Sequence, residues 1–129
     1  MLAYVKSSAD DDKKRKNYHC AQCGVFITQS GALVSINGSH EHSYVNPAGI
    51  RCNFMTFLAS ENSLALEDLY LEHSWFPGYG WRFLICESCF QHLGWQYEAV
   101  REAVSPLGFF GVLIDSVKSV AADNHAGAE

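Results

Sequence analysis

The sequence predicts a mostly β domain whose strands pair antiparallel and are tied together by a four-cysteine metal site. Three observations lead to this prediction. Short apolar runs are separated by Gly, Asn, Pro and Ser, aromatic residues make up 13% of the chain, and two Cys-x-x-Cys units are present. Aromatic residues favour strands, and the short spacing between turn signals leaves little room for long helices.

In the first half of the chain, the runs 24–28 and 33–36 predict strands, the run 43–45 leads into a turn, and the run 50–58 is apolar and of strand length. The Asn37-Gly38 pair closes the second run and is a strong turn signal, because both residues tolerate positive φ. Asn46-Pro47-Ala48-Gly49 separates the third run from the fourth, and its Pro and Gly supply the backbone angles of a tight turn.

The second half predicts three further strands, over residues 81–86, 95–99 and 109–114. Residues 95–99 alternate between apolar and polar, as a half-buried strand does. The aromatic segment 75–81 is predicted to be a loop that reverses at Pro77-Gly78. Residues 63–71 fit either a helical turn or a strand, and the pattern leaves both open.

A chain of 129 residues predicts one domain. We expect a flexible charged N-terminal tail over residues 1–17, the folded domain over residues 18–118 and a polar C-terminal tail over residues 119–129. The apolar runs are too short to span a membrane, and the N-terminus lacks a secretory signal pattern. We therefore expect a cytoplasmic protein with reduced thiols.

The charge distribution argues against nucleic acid as a partner. The run 10–16 accounts for three of the 14 acidic and four of the nine basic residues, so the remainder carries eleven acids and five bases. Nucleic-acid binding depends on clustered Lys and Arg, which this remainder lacks.

Cys20-Ala-Gln-Cys23 and Cys86-Glu-Ser-Cys89 predict one structural Zn²⁺ site. A two-residue gap lets a single turn direct two sulfurs at one tetrahedral ion, and zinc accepts four thiolates without redox chemistry. A closed four-Cys shell leaves no position for a reacting water. The alternatives are two disulfides or two unrelated thiol pairs.

The fifth cysteine, Cys52, is expected to be a small core residue, since free Cys is among the most buried residue types. The alternative is a redox nucleophile whose pKa is lowered by Arg51.

All three tryptophans, Trp75, Trp81 and Trp95, fall near the second Cys pair. Trp75 and Trp81 flank the Pro-Gly reversal, and Trp95 begins the strand after the metal turn. Three indoles from one pinned region can form an apolar pocket for a small ring or a cation, with plain core packing as the alternative.

The segment from Glu72 to Trp81, with Cys86-Glu-Ser-Cys89 and the run from His92 to Tyr97, closely resembles the cereblon-type thalidomide-binding (CULT) domains. The first Cys pair, the 46–49 turn and residues 105–111 match the same pattern in order. The resemblance covers roughly residues 18–118.

The resemblance implies two antiparallel sheets at a steep angle, joined near the zinc (a β-tent), and a cage of tryptophans that binds glutarimide rings such as that of thalidomide. Its natural ligands would be proteins that end in a cyclic imide. The implied ligand-binding residues are Asn46, Pro47, Glu72, His73, Ser74, Trp75, Trp81, Phe83, Trp95 and Tyr97.

Within that set, the resemblance gives Trp75, Trp81 and Trp95 as walls, and backbone groups of His73 and Trp75 as partners of the imide. Tyr97 would close the floor, and Asn46 and Pro47 would touch the protruding part of the ligand. Phe83 replaces an aliphatic residue that relatives carry near the mouth. A ubiquitin-ligase partner is not expected from this chain alone.

Two rival functions are considered. An aromatic cage for a quaternary ammonium or methylated lysine would use the same indoles, with Glu72 or Glu98 adding negative charge. A methionine sulfoxide reductase is the enzymatic rival, because Arg51-Cys52-Asn53 faintly resembles its nucleophile segment. No resolving Cys remains after four bind zinc, so we expect a binding module and not an enzyme.

Overall fold

The computed structural model describes residues 15–122, and within them nine strands form two antiparallel sheets. Their bounds are β1 Lys16–Cys20, β2 Phe26–Gln29, β3 Glu41–Val45, β4 Arg51–Phe57, β5 Ser63–Ala65, β6 Tyr79–Cys86, β7 His92–Ala99, β8 Gly108–Leu113 and β9 Val117–Ala121. The predicted mostly β class is confirmed. None of the described residues forms a helix long and apolar enough to cross a bilayer.

The small sheet has the strand order β2-β1-β9, and the large sheet has the order β3-β4-β8-β7-β6-β5. Each neighbouring pair is antiparallel. The chain passes from one sheet to the other only between β2 and β3 and between β8 and β9, so the small sheet is assembled from both ends of the described region.

Successive side chains along a strand point to opposite faces of a sheet, and in the large sheet apolar side chains project from both faces. On β4, Met55 and Phe57 face the small sheet, whereas Cys52 and Phe54 face the opposite side. We call this opposite side the site face. It is covered by the loop between β5 and β6, which inserts the fully buried Phe76.

The remaining members of the two cores follow the same division. Between the sheets lie Tyr18, Cys20, Ile27, Leu84, Cys86, Leu93, Val112 and Val117, and on the site face lie Ile36, Tyr79, Trp95, Tyr97 and Phe109.

Most predicted strands correspond to observed ones, but the strand predicted over residues 33–36 is wrong. Leu33 and Ile36 form only isolated bridges, to Phe57 and Ser39. The run is too short to pair further, because a 3-10 turn ends at Ala32 and Asn37, with φ of 54°, already reverses the chain. The open segment 63–71 begins with the short strand β5.

Two strands lie partly in segments that we predicted to be tails. Asn17 of β1 pairs with Val120 of β9, so the folded region extends beyond residues 18–118 at both ends. The hydrophobic pattern of the sequence did not predict β9, because Val117 is the one buried residue of this strand. The rest of the predicted N-terminal tail and the end of the C-terminal tail lie outside the described residues.

A β-bulge in β7 changes which side chains reach the site face. Phe83 pairs with Trp95 and Leu84 with Gly94, but Ile85 pairs with His92, which leaves Leu93 as the extra residue. The extra residue turns into the core between the sheets, and His92 turns to the site face beside Trp95.

Replacing Gly94 by Ala is expected to destabilise the fold strongly. Its φ is 148°, and a Cβ built there would lie 1.9 Å from the Gly111 carbonyl oxygen. Backbone strain and this clash together predict a loss of about 3 kcal/mol or more in the free energy of unfolding, measured by denaturant titration.

Gly38→Ala is the matched control, because Gly38 also has positive φ (88°) but no atom within 4 Å of the added carbon. It should cost only about 1 kcal/mol, the penalty for the backbone conformation alone. Equal losses in the two variants would contradict the close approach of β7 to β8.

Candidate metal site and ligand cavity

The four cysteines of the two Cys-x-x-Cys units meet between the sheets. Cys20 and Cys23 lie at the turn from β1 to β2 in the small sheet, and Cys86 and Cys89 lie at the turn from β6 to β7 in the large sheet. Their Sγ atoms all lie within 4.8 Å of one another. Each sheet therefore contributes two of the four sulfurs.

The two turns share one hydrogen-bond pattern. The N–H of Gly24 donates to the Cys20 carbonyl at 2.9 Å, and the N–H of Phe90 donates to the Cys86 carbonyl at 2.8 Å. Both residues have positive φ, 87° and 67°. The first cysteine of each pair also donates its own N–H across the turn, at 2.8 Å in both cases. The two turns are therefore near-copies.

The donor set fits a tetrahedral metal ion. Sγ of Cys20 lies 3.6 Å from Sγ of Cys89, and Sγ of Cys23 lies 3.6 Å from Sγ of Cys86. Zinc–sulfur bonds of about 2.3 Å in a tetrahedron place sulfurs about 3.8 Å apart, close to these separations.

The thiols differ in acidity. A hydrogen bond with the Val25 backbone lowers the pKa of Cys23 to about 7, whereas desolvation raises the pKa of Cys89 to about 12. Four thiolates this close repel one another unless a cation lies among them, so a bound metal is what would hold all four deprotonated.

Both metal turns also hold the short 3-10 turn Ile114–Ser116. The Ser116 carbonyl accepts the N–H of Ala21, inside the first Cys pair, at 2.9 Å and Nε2 of Gln91, just after the second pair, at 2.8 Å. Ser116 Oγ donates to the His92 carbonyl at 2.8 Å. This turn forms one edge of the cavity described next.

A cavity of about 500 Å³ opens on the site face, and all three tryptophans line it. Their walls form a continuous series of edge-to-face ring contacts. Trp75 contacts Trp95 at 5.4 Å between centroids, Trp95 contacts His92 at 5.5 Å, His92 contacts Phe83 at 5.6 Å, and Phe83 contacts Trp81 at 5.2 Å. Such contacts are favourable for aromatic quadrupoles and fix the ring angles.

A second layer of aromatic rings packs behind the indoles of Trp75 and Trp81. Trp75 stacks on Tyr44 at 5.1 Å and on Phe54 at 5.6 Å, and Trp81 stacks on Tyr70 at 4.7 Å. The Trp81 indole N–H donates to the Glu72 carbonyl at 2.9 Å. The orientation of Trp81 is thus set before any ligand binds.

The floor of the cavity is Tyr97, whose side chain is 2% exposed. Its ring stacks on Phe109 at 4.8 Å and meets Phe76 edge-on at 4.9 Å. Burial raises the pKa of its hydroxyl, so Tyr97 stays neutral.

The segment between Glu72 and Trp75 has an unusual backbone. His73 is a non-glycine residue with a φ of 63°, a conformation that L residues adopt at some cost. Ser74 secures the following turn, because its Oγ bonds both the N–H and the carbonyl of Phe76, at 3.3 and 3.1 Å. The turn directs His73 and Trp75 to the same cavity.

Eight of the ten ligand-binding residues taken from the sequence line the cavity: Asn46, Pro47, His73, Trp75, Trp81, Phe83, Trp95 and Tyr97. Glu72 and Ser74 do not line it. Glu72 supports Trp81 through its carbonyl, and its side chain accepts the Leu71 N–H at 3.1 Å. Ser74 borders a shallower groove beside Asn46 and His73.

The sequence reasoning missed half of the lining. The additional residues are Ile50, Arg51, Cys52, Asn53, His92, Leu113, Asp115 and Ser116. Cys52 is buried, as expected, but it lies in the cavity wall, and burial raises the pKa of its thiol. His92 could not be identified from alternation, because the bulge in β7 reverses its direction.

The charged groups of the lining are Arg51 and Asp115. The two glutamates considered for a cation cage are elsewhere. Glu98 forms an ion pair with Arg82, at 3.0 Å, in a groove on the opposite face of the large sheet.

His42 belongs to the group of rings that packs behind Trp75, and its protonation makes the stability of the fold depend on pH. Its ring stacks on Phe54 at 5.4 Å, its Nε2 is buried without a hydrogen-bond partner among the described residues, and desolvation lowers its pKa. The unfolded chain therefore binds a proton that the folded chain resists, and the free energy of unfolding should fall as pH drops below about 6.5.

His42→Phe should make that fall shallower, because phenylalanine binds no proton in either state. Thermal unfolding of both proteins between pH 7.5 and 5.5 measures the difference, and taking the difference cancels acid effects on the thiols. Parallel stability profiles would contradict the role of His42.

Comparisons with known proteins agree with this architecture. A family model described as Yippee zinc-binding/DNA-binding/Mis18, centromere assembly, matches residues 17–128. The chain is 47% identical to Protein cereblon of Drosophila erecta over 120 residues, which cover 91% of this chain and 20% of that protein.

Two vertebrate relatives match as well. Protein cereblon of Gallus gallus is 37% identical over 95 residues (72% of this chain, 21% of that protein), and that of Danio rerio is 30% identical over 112 residues (85% and 26%). The chain thus spans about a quarter or less of these relatives. It belongs to the Yippee zinc-binding/DNA-binding/Mis18 family, as a cereblon-like domain.

Proposed function

We propose that this domain binds small cyclic imides of the glutarimide type, including thalidomide-like compounds and cyclic-imide C-termini of proteins, between its three indoles. One observation carries the proposal: Trp75, Trp81 and Trp95 line one cavity and are fixed there by aromatic contacts. Cyclic-imide binding also agrees with the resemblance to cereblon-type domains.

The chemistry of the ligand suits this cavity. A glutarimide has apolar methylenes and a polar edge with an N–H between two carbonyls. Indole rings cover the methylenes, while the edge needs hydrogen-bond partners, because an unpaired buried polar group costs about 1–3 kcal/mol. The Trp81 N–H is already bonded to the Glu72 carbonyl. The resemblance to cereblon-type domains assigns the imide edge to backbone groups of His73 and Trp75.

We further propose that the four thiolates hold one Zn²⁺, and that this ion is structural. Four protein ligands complete a tetrahedral shell and leave no open position. The reduced thiols this site requires are consistent with a cytoplasmic location.

Binding without catalysis is the proposed activity. Cys52 is the one cysteine outside the metal cluster, and burial raises the pKa of its thiol, which is the opposite of what a nucleophile needs. The acidic balance of the chain and the apolar cavity likewise favour a small ligand over nucleic acid.

A quaternary ammonium or methyl-lysine is the alternative ligand. A carboxylate near the rings would strengthen its binding, but Glu72 and Glu98, the two residues considered for this role, do not line the cavity. Quenching of tryptophan fluorescence by glutarimide, and not by trimethyl-lysine, distinguishes the two.

For the metal, we expect one zinc per chain by elemental analysis of the purified protein. Cys86→Ala should lose the metal and lower the free energy of unfolding by several kcal/mol, toward the order of 10 kcal/mol seen for structural zinc. Cys52→Ala is the matched control, because it removes a buried thiol outside the cluster and should keep the zinc. Metal retained in Cys86→Ala would contradict the four-thiolate site.

For the ligand, Trp81→Ala should weaken glutarimide binding by about thirtyfold or more, since a buried aromatic anchor is worth about 2 kcal/mol or more. Calorimetric titration measures the affinity, and zinc analysis confirms that the fold is kept. Phe26→Ala is the control, because it removes an aromatic ring from the small sheet. Unchanged affinity in Trp81→Ala would exclude the proposed pocket.

A further inference from the structure

The large sheet has an edge at β5 that no strand of residues 15–122 covers, since β5 neighbours β6 alone. The bonds between β5 and β6 come from alternate residues. The Leu66 N–H donates to the Phe83 carbonyl at 2.8 Å, and the Asn62 carbonyl accepts an N–H just after β6 at 2.9 Å. Ser63 and Ala65 lie at the positions in between, so their N–H and carbonyl groups point away from the sheet, where another strand can bond them.

The side chains along this edge are apolar and exposed. Leu64 and Leu66 are 48% and 39% exposed. Leu64 pairs with Ile85, two residues after Phe83 of the cavity wall, and therefore projects on the site face. Lysine and proline, with which proteins commonly protect an edge strand, are absent from residues 61–72. The edge is thus open to pairing and has an apolar side chain for a partner to contact.

A groove of about 420 Å³ adjoins the opposite face of the same edge, and Ala65 and Glu67 line it. Its basic residue, Arg82, is already bonded to the Glu98 carboxylate at 3.0 Å and to the Glu67 carbonyl. Gln96 also lines the groove, and its Oε1 is buried without a hydrogen-bond partner among the described residues. The groove therefore has more acceptors than available donors.

The charge around the edge has one sign. Residues 61–72 contain no basic residue and four acidic ones, Glu61, Glu67, Asp68 and Glu72. None of these four carboxylates forms an ion pair within the region that the structure describes. Such a surface attracts a basic segment and repels an acidic one.

We propose that β5 is a docking edge for an extended basic peptide of another protein, which adds to the large sheet as a further strand. Its backbone bonds Ser63 and Ala65. Because side chains alternate along a strand, apolar residues of the peptide pack beside Leu64, and the lysine or arginine between them projects over Ala65 to the groove and the Glu67 carboxylate. None of these residues lines the tryptophan cavity, so this surface is independent of cyclic-imide binding.

The test uses the full chain and two probes, acetyl-Val-Lys-Val-Lys-Val-amide and the same peptide with glutamate in place of lysine. Amide hydrogen exchange is measured by NMR. The lysine peptide should slow exchange at Ser63 and Ala65 by about tenfold or more, because a bonded amide exchanges only when the bond opens. Ser43 is the internal control, since its N–H points outward from β3, the other edge of the large sheet. The glutamate peptide should protect none of the three.

Two variants test the contacts. Ala65→Pro removes an outward N–H that β6 does not use, so it should keep cooperative thermal unfolding and weaken binding of the lysine peptide by about tenfold or more. Glu67→Gln should weaken it by about threefold, the effect of an exposed ion pair, whereas the exposed control Glu102→Gln should not.

Three results would overturn the docking edge. The first is equal protection by both peptides, or equal protection at Ser43, which would show unspecific pairing. The second is unchanged affinity in Ala65→Pro. The third is protection of Ser63 without any peptide that rises with protein concentration, which would assign the edge to a second copy of this chain.

Discussion

The constraint on which the rest of the structure depends is the meeting of four sulfurs between the two sheets. The sheets share a core of side chains from β1, β2 and β9 on one side and from β4, β6, β7 and β8 on the other. Apolar packing is not directional, so by itself it does not fix how one sheet sits on the other. A tetrahedral metal clamp with two ligands from each sheet would fix it, because every sulfur would have to keep its distance to the same ion.

The clamp also explains how a small domain can keep a cavity open. The Ser116 carbonyl accepts hydrogen bonds from Ala21 and Gln91, one at each Cys pair. The two Cys turns therefore hold Asp115 and Ser116 at this edge of the cavity. On the other side, the indoles are held by a second layer of rings and, for Trp81, by the Glu72 carbonyl. The cavity walls are therefore held in place by contacts outside the cavity, and these contacts keep the cavity open.

The sequence predicted those parts of the molecule in which local pattern and final structure agree. The strand around Trp95 and Tyr97 alternates as a half-buried strand should, and the Cys spacing alone identified the four sulfurs that meet between the sheets. Residues 33–36 have strand composition, but adjacent turns leave no length for pairing. Strands β1 and β9 were missed because their stability comes from pairing with each other and from few buried side chains, which a local pattern does not reveal.

The candidate site shows the same division. The three indoles, Phe83 and Tyr97 could be assigned by motif, whereas His92 reaches the cavity only through the bulge at Leu93, and Asp115 only through the turn that the Cys pairs hold. These residues depend on long-range contacts that have no signature in their own segment. The bulge in turn needs Gly94, where the strand passes so close to Gly111 that no Cβ fits. The backbone of one glycine therefore decides whether the aromatic wall from Trp75 to Trp81 is continuous, since His92 is the ring that joins Trp95 to Phe83.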